Sequence, residues 1–267
     1  MAALIKDYER NYYQSGFIQL DAAKYLIDFA KPYVRCGSSL LDVGCGSGRV
    51  TNLIFDNLLP SKVIGVDQAD GMIALAKKST RNKLICYKHH AIEDYPTDFR
   101  FSHVFANSSF QWFSNYSAAL STIHHCLSPD GYFFIQSSYK ERWCPEFLDI
   151  IESLKLQHSF INDLLSQHHF PCMHLASPQE YTTFLLGHRF SVTSIETKDF
   201  VYQLPQERAI DVFNSGPVKA YTSEKYYNNA VDPQAIDKFY SFFQLALAKK
   251  KKIQITYPRV FIRCQPQ

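Results

Sequence analysis

The stretch LLDVGCGSGRVT, residues 40–51, sets an acid, Asp42, ahead of glycines at alternate positions, Gly44, Gly46 and Gly48, at the end of a strand-like apolar run. Glycines spaced in this way let a chain turn tightly and bring backbone N–H groups against a ligand. A dinucleotide fingerprint, GxGxxG, needs a third glycine where this chain has Arg49 counting from Gly44, or Thr51 counting from Gly46. A phosphate-gripping loop needs Gly-Lys followed by Ser or Thr, which the turn also lacks. The ligand left is one without a pyrophosphate. Asp42 suits an ammonium group, and Asp67, which ends KVIGVD some 19 residues past Gly48, stands where an acid accepts hydrogen bonds from ribose hydroxyls. S-adenosylmethionine combines a ribose with cationic groups, and its carboxylate is suited to the N–H groups of the glycine turn.

Positioning those residues requires strands that end at one edge of a sheet. From residue 39 short apolar runs alternate with longer periodic ones, the pattern of strand-helix-strand units. The expected strands are SLLDV (39–43), KVIGV (62–66), LICYK (84–88), FSHVFA (101–106) and YFFIQSS (132–138); VTNLIFDNLL, DGMIALAKK and NYSAALSTIHHCL read as helices between them, the last closed by Pro129 and Gly131. FIQLDAAKYLIDFA (17–30) has helical spacing and stops at Pro32. Residues 139 to about 189 read as irregular, rich in aromatics and histidines. Two further strands, 192–204 and 253–264, flank a helical segment that ends in the lysines 249–252, where cations complement a helix carboxyl end. The expected fold is α/β, a Rossmann-like doubly wound sheet of seven mostly parallel strands with helical lid insertions. It forms a single domain over 1–267: a helical cap (1–37), a cofactor-binding core (38–138), a lid insertion (139–190), and the last two strands with their helical insertion (191–267).

The totals narrow the function. A chain of 267 residues, 46% hydrophobic, buries a large core, and a net charge of +3 argues for neither nucleic acid nor membrane as partner. The opening MAALIKDYERNYY lacks the apolar stretch of a secretory signal, so a soluble, cytoplasmic protein is expected. Seven cysteines without a CxxC pair suggest reduced thiols packed as small hydrophobes. QHHFPCMH gathers His168, His169, Cys172 and His174, but matches no standard zinc spacing and is interrupted by Pro171, so lid packing is preferred to metal. His89-His90 reads as a strand end and His124-His125 as a helix surface.

LLDVGCGSG, VIGVDQADGMIALAKK, HHAIEDYP, FSHVFANSSFQWF and LSPDGYFFI, in this order, resemble the successive motifs of class I S-adenosylmethionine-dependent methyltransferases over residues 38–138. ANSSFQWF, FNSGPVKAYTS and the closing IQITYPRVFIRC resemble most the trans-aconitate and malonyl-acyl-carrier-protein methyltransferases, which methylate a free carboxylate. The resemblance implies that Asp42, Gly44, Gly46 and Gly48 line the methionine end of the cofactor, that Asp67 holds the ribose, and that Gln68 and Met72 lie beside the adenosine. Asn107 would approach the methionine moiety and Trp112 the transferred methyl, with burial as a core anchor the other reading of Trp112. Where the family carries an acid after the third strand, this chain has His90, followed by Ala91 and Ile92, so adenine recognition falls to backbone groups. Ser102 stands where an aspartate is common.

Methyl transfer from a sulfonium is an in-line displacement that chiefly needs positioning and exclusion of water. A carboxylate acceptor is already anionic at neutral pH, whereas an amine or hydroxyl needs a base. SYKERWCPEF supplies Tyr139, Lys140, Arg142 and Trp143 as lid residues, with Arg142 able to clamp an acid through two hydrogen bonds; Tyr13, Arg189, Lys219 and Tyr221 are further candidates. The expected acceptor is a small polycarboxylate or a dicarboxylate on acyl carrier protein. The alternatives are N-, C- or hydroxyl methylation of another metabolite, or a non-catalytic cofactor-binding module.

Overall fold

The computed structural model describes residues 16–96 and 98–267, and Tyr13 lies outside them. Seven strands form one sheet: β1 (Ser39–Val43), β2 (Lys62–Asp67), β3 (Ile85–His89), β4 (Phe101–Asn107), β5 (Leu127–Ser138), β6 (Phe190–Pro205) and β7 (Lys252–Pro266), in the order β3-β2-β1-β4-β5-β7-β6. β1 to β5 are parallel and β7 runs antiparallel to β5. Leu40, Leu41 and Val43, with Val63, Ile64 and Val66, are buried to both sides, as strands covered on both faces must be. The sequence places these strands to within one or two residues, except that β5 begins at Leu127, so Pro129 and Gly131 lie in a strand rather than closing a helix.

α1 (Phe17–Ala30) precedes β1, and the crossover helices are α2 (Arg49–Leu58), α3 (Asp70–Ser79) and α4 (Tyr116–Cys126). α4 starts where Asn115 Oδ1 accepts the Ala118 N–H at 3.0 Å, and α2 ends on Leu59 in the left-handed conformation. The section expected to be irregular is largely helical: α5 (Pro145–Gln157), α6 (Ser159–Ser166) and α7 (Pro178–Gly187). A Pro opens α5 and α7, and Ser177 caps α7 by accepting the Glu180 N–H, so local starts are present although aromatic residues obscure the period. The insertion before β7 holds α8 (Gln206–Asn214), α9 (Pro217–Thr222) and α10 (Pro233–Ala248), three helices where one segment was expected.

The chain divides into two compact units. The first comprises residues 19–96, 98–141, 173–198 and 258–267; the second comprises residues 16–18, 142–172 and 199–257. The first has its own core around Val104, Phe110, Phe133 and Phe190, with Tyr181 fully buried and its hydroxyl donating to the Ser138 carbonyl at 2.8 Å. The second has a core of Phe147, Phe213, Phe239 and Phe243, where Phe213 and Phe243 stack with centroids 4.2 Å apart. Glu146 pins β7 within this unit by accepting the Thr256 N–H at 2.9 Å and its hydroxyl at 2.7 Å. No described helix is long and apolar enough to cross a membrane.

Candidate active site

The strand order reverses between β1 and β4, and in open α/β sheets that switch point is where ligands bind, beyond the carboxyl ends of the strands. Gly44, Gly46 and Gly48 follow β1, with φ of 69°, 54° and 77°. Any other L residue is strained there by about 1–2 kcal/mol. Space imposes a second demand: a Cβ on Gly44 would run into the Ser109 side chain and one on Gly48 into the Tyr87 hydroxyl. Ser109 comes from the neighbouring tip, after β4, and its hydroxyl donates to the Val43 carbonyl at 2.5 Å. The two loops of the switch point are thus packed backbone to side chain, leaving a cradle lined by main chain.

Asp67, at the end of β2, is tied into this cradle. Its Oδ2 accepts the Gly46 N–H at 2.9 Å and its Oδ1 the Ala69 N–H at 2.8 Å, so the carboxylate is held in one orientation with lone pairs remaining on both oxygens. Gln68 is exposed and Met72 half-buried at the start of α3. On the next tip, the His90 N–H is spent on the Asp67 carbonyl at 3.1 Å, Ala91 is half-buried and Ile92 buried. His89 is exposed, with Nε2 2.9 Å from the Gln68 carbonyl. Glu93 is committed elsewhere, accepting the Ser114 N–H and hydroxyl at 2.9 and 2.8 Å; these bonds hold its carboxyl below the usual range against the opposing effect of burial.

Asp42 is 2% exposed and lies behind the turn, where its Oδ2 accepts the Thr51 hydroxyl at 2.6 Å. Burial pushes its pKa up to about 7, with the Asp67 charge adding to the effect and the Thr51 bond opposing it. A carboxyl raised in the native state holds its proton there while the unfolded chain has lost it. Its contribution to stability is therefore greatest below about pH 4 and falls as pH rises toward 7. Asp42→Asn, which keeps an acceptor for Thr51, is expected to flatten that decline, as checked by urea unfolding of both proteins at pH 5 and pH 7.5.

Asn107 ends β4 beside Gln136 of β5, and its buried Oδ1 accepts no hydrogen bond from a described residue. A buried carbonyl oxygen left in this way costs about 1–3 kcal/mol, which a donor arriving with a ligand would offset. Ser108, with φ 55°, bends the chain after Asn107 and donates to Gln136 Oε1 at 2.6 Å. Trp112 closes the 3-10 turn Phe110–Trp112, held by the fully buried Phe110; it is 37% exposed, so it is no core anchor. Tyr139, directly after β5, is 8% exposed, and the Lys140 ammonium lies 4.9 Å from its ring centre.

Arg142 belongs to the second unit and is exposed, with its guanidinium on Asp149 at 2.6 Å, a pair of solvent-facing charges worth little to stability. Trp143, in the same unit, is buried and stacked on Phe170 at 5.7 Å. Lys219 is exposed, and Tyr221 is buried under His168, whose Nε2 lies 2.8 Å from the Ala220 carbonyl. Arg189 is exposed and its carbonyl accepts the Gln267 N–H; because β7 is antiparallel, that contact marks the sheet edge opposite the strand tips. His124 makes a 3.0 Å contact to the Gln267 carbonyl at that same edge. Among the described residues no group of three or more His, Cys, Asp or Glu is arranged to hold a metal ion. Four of the seven cysteines are buried, Cys36 and Cys86 are exposed and Cys172 is partly so, and all are free thiols. Ser102 exchanges hydrogen bonds with Ser39 at the feet of β1 and β4, which clips those strands together. A groove of about 1150 Å³ on the second unit, between α5, α10 and the start of β7, contains none of the residues around the glycine turn.

Four contributors escaped the sequence reading: Thr51, Tyr87, Ser109 and Arg259. Arg259 is the one that left a signal, a lone cation inside the buried run Tyr257–Ile262.

Fold and site together define a Rossmann-like α/β unit with a glycine turn and an acid at the tips of its neighbouring strands. Residues 41–135 match the family described as Methyltransferase domain. The malonyl-[acyl-carrier protein] O-methyltransferase of Acetivibrio thermocellus is 27% identical over 122 residues, 46% of this chain and 43% of that protein. The trans-aconitate 2-methyltransferase of Acidovorax sp. (strain JS42) is 28% identical over 128 residues, 48% of this chain and 44% of that protein. The chain thus spans less than half the length of these curated relatives. Among solved structures, the 1,6-didemethyltoxoflavin-N1-methyltransferase of Burkholderia thailandensis, with 1,6-didemethyltoxoflavin and S-adenosylhomocysteine bound, shares the fold at a TM-score of 0.55 and 13% identity, covering 100% of this chain and 88% of that one.

Proposed function

We propose that the chain is an S-adenosylmethionine-dependent methyltransferase that esterifies a free carboxylate of a small polycarboxylate or of a dicarboxylate carried by acyl carrier protein. The observation that carries the cofactor assignment is the juxtaposition of three left-handed glycines, the Asp67 carboxylate fixed against Gly46, and the buried Asn107 oxygen at the next tip. The cradle at Gly44–Gly48 takes the methionine end, with Asn107 Oδ1 accepting from its ammonium. Asp67 accepts from the ribose hydroxyls, while Gln68, Met72, Ala91 and Ile92 border the base. Asp42, behind the turn, accepts the Thr51 hydroxyl and fixes the start of α2 against the end of β1.

The cofactor supplies an electrophilic methyl on a sulfonium. The chain's work is then positional: Trp112 and Tyr139 present flat apolar surface that keeps water from the acceptor and holds its oxygen in line. A carboxylate needs no proton removed, so the mechanism requires no base. The names of the two curated relatives support this class of acceptor, one acting on malonyl-acyl carrier protein and the other on trans-aconitate.

Incubated with labelled cofactor and trans-aconitate, related polycarboxylates or malonyl-acyl carrier protein, the protein is expected to give a methylated product that mild alkali releases as methanol. An alkali-resistant product would mean that nitrogen, carbon or a hydroxyl is the acceptor.

A further inference from the structure

Ser108, Gln111, Gln136 and Ser137, at the tips of β4 and β5, close a ring of hydrogen bonds. The Ser108 hydroxyl donates to Gln136 Oε1 at 2.6 Å and Gln136 Nε2 to the Ser137 carbonyl at 3.3 Å. The Ser137 hydroxyl donates to Gln111 Oε1 at 3.1 Å, and Gln111 Nε2 returns to the Ser108 carbonyl at 3.2 Å. Gln111, Gln136 and Ser137 are buried, the last two completely. Burying amides and hydroxyls is unfavourable unless they pair, and apolar side chains would fill the same space without that demand. What the ring supplies is rigidity. It engages Ser108 through its hydroxyl and its carbonyl, while the Ser108 N–H donates to the Gln136 carbonyl at 2.9 Å. Ser108 is thereby held at φ 55°, a conformation disfavoured about tenfold for an L residue.

The residues assigned to the ligand are the chain neighbours of this ring: Asn107 precedes Ser108 and Trp112 follows Gln111. From this juxtaposition we propose that the ring is a positioning device, in which Ser108 and Gln111 are positioning residues that fix the Asn107 side chain and the Trp112 turn in one arrangement before a ligand arrives. The inference rests on the cofactor reading above and goes beyond it, since neither residue touches the cofactor. Backbone strain at a residue other than glycine persists where the surroundings over-determine it, and here the N–H, the hydroxyl and the carbonyl of Ser108 are all engaged. Asn107 shows what the restraint achieves. Its Oδ1 is buried and accepts no hydrogen bond from a described residue, a state that a relaxed backbone would leave by turning the amide toward a donor. The turn that carries Trp112 is anchored alongside, with the Trp112 N–H on the Ser109 carbonyl at 2.9 Å and the Met173 N–H on the Gln111 carbonyl at 3.0 Å. An acceptor fixed in advance spares the ligand the entropy of ordering it on binding.

The test is a double-mutant cycle on the full chain, read by calorimetry with S-adenosylhomocysteine. Asn107→Ala is expected to bind it about tenfold more weakly, as the loss of one hydrogen bond to a charged donor requires. Gln111→Met, which keeps the volume and opens the ring, should lose about as much. The double variant should be no weaker than Asn107→Ala alone, because an amide already removed cannot also be displaced. A Gln111 that merely supports the fold gives additive losses, about a hundredfold in the double variant, and that result overturns the inference. Unchanged affinity in Gln111→Met overturns it too, and in both cases the weakening by Asn107→Ala leaves the cofactor reading intact. If Asn107→Ala binds as wild type does, the contact between Asn107 and the ammonium fails, and the role of the ring with it. Should Gln111→Met not fold, Ser108→Ala, which removes a single hydroxyl from the ring, enters the same cycle with the same expectations.

Discussion

Asp67→Ala is expected to weaken binding of S-adenosylmethionine or its demethylated product by about a hundredfold or more, because hydrogen bonds to a charged acceptor are worth about 1.5–3 kcal/mol each and a ribose diol makes two. The structure adds a second loss. The same carboxylate accepts the Gly46 and Ala69 N–H groups, so its removal also loosens the turn that receives the methionine end. Asp67→Asn keeps one acceptor oxygen and is expected to lie between. Calorimetry with S-adenosylhomocysteine reads the effect directly, and an Asp67→Ala protein with unchanged affinity would remove the ribose from this tip. Asp67 is partly exposed, so the unfolding free energy should change far less than the affinity.

Gly48→Ala should give the largest effect on the fold of the unit itself. At φ 77° an alanine is strained, and its Cβ would meet the Tyr87 hydroxyl, with the Ala76 side chain 3.1 Å away. The tyrosine cannot yield cheaply, because its hydroxyl is 3.0 Å from the Thr80 hydroxyl and takes a weaker 3.4 Å bond from Asn52. Strain of about 1–2 kcal/mol and overpacking of about 1–3 kcal/mol sum to a loss of roughly 2–5 kcal/mol. Urea denaturation measures it. In Gly48→Ala combined with Tyr87→Ala the clash is gone and only the conformational strain remains, so the double variant should fall short of the sum of the two single losses. Additive losses would show that the two residues do not collide.

The glycine turn and Asp67 were legible because their signal is local. A glycine turn and an acid ending the next strand keep their spacing in the sequence, and the structure ties them together through the bond from Gly46 to Asp67. The strands were legible for the same reason, since Leu40, Leu41, Val63 and Val66 are buried on both faces and read as plain apolar runs. What lies far apart in the chain was not. Ser109 under Gly44 and Tyr87 under Gly48 are contacts across 65 and 39 residues, with nothing in the sequence to pair them. Arg142, in a promising position after β5, turned out to face Asp149 seven residues on, whereas Arg259, 121 residues from Ser138, reaches the strand tip. The helices α5 to α7 were missed because their aromatic and histidine side chains pack on several sides and blur the helical period, although the prolines and the Ser177 cap mark where two of them start.

The measurement that bears most directly on the account is a crystal structure of the chain with S-adenosylhomocysteine bound. It should show both ribose hydroxyls within hydrogen-bonding distance of the Asp67 carboxylate, the amino-acid end against Gly44–Gly48 and its ammonium on Asn107 Oδ1. A nucleoside bound anywhere else, or an Asp67 carboxylate that makes no contact with it, would contradict the account.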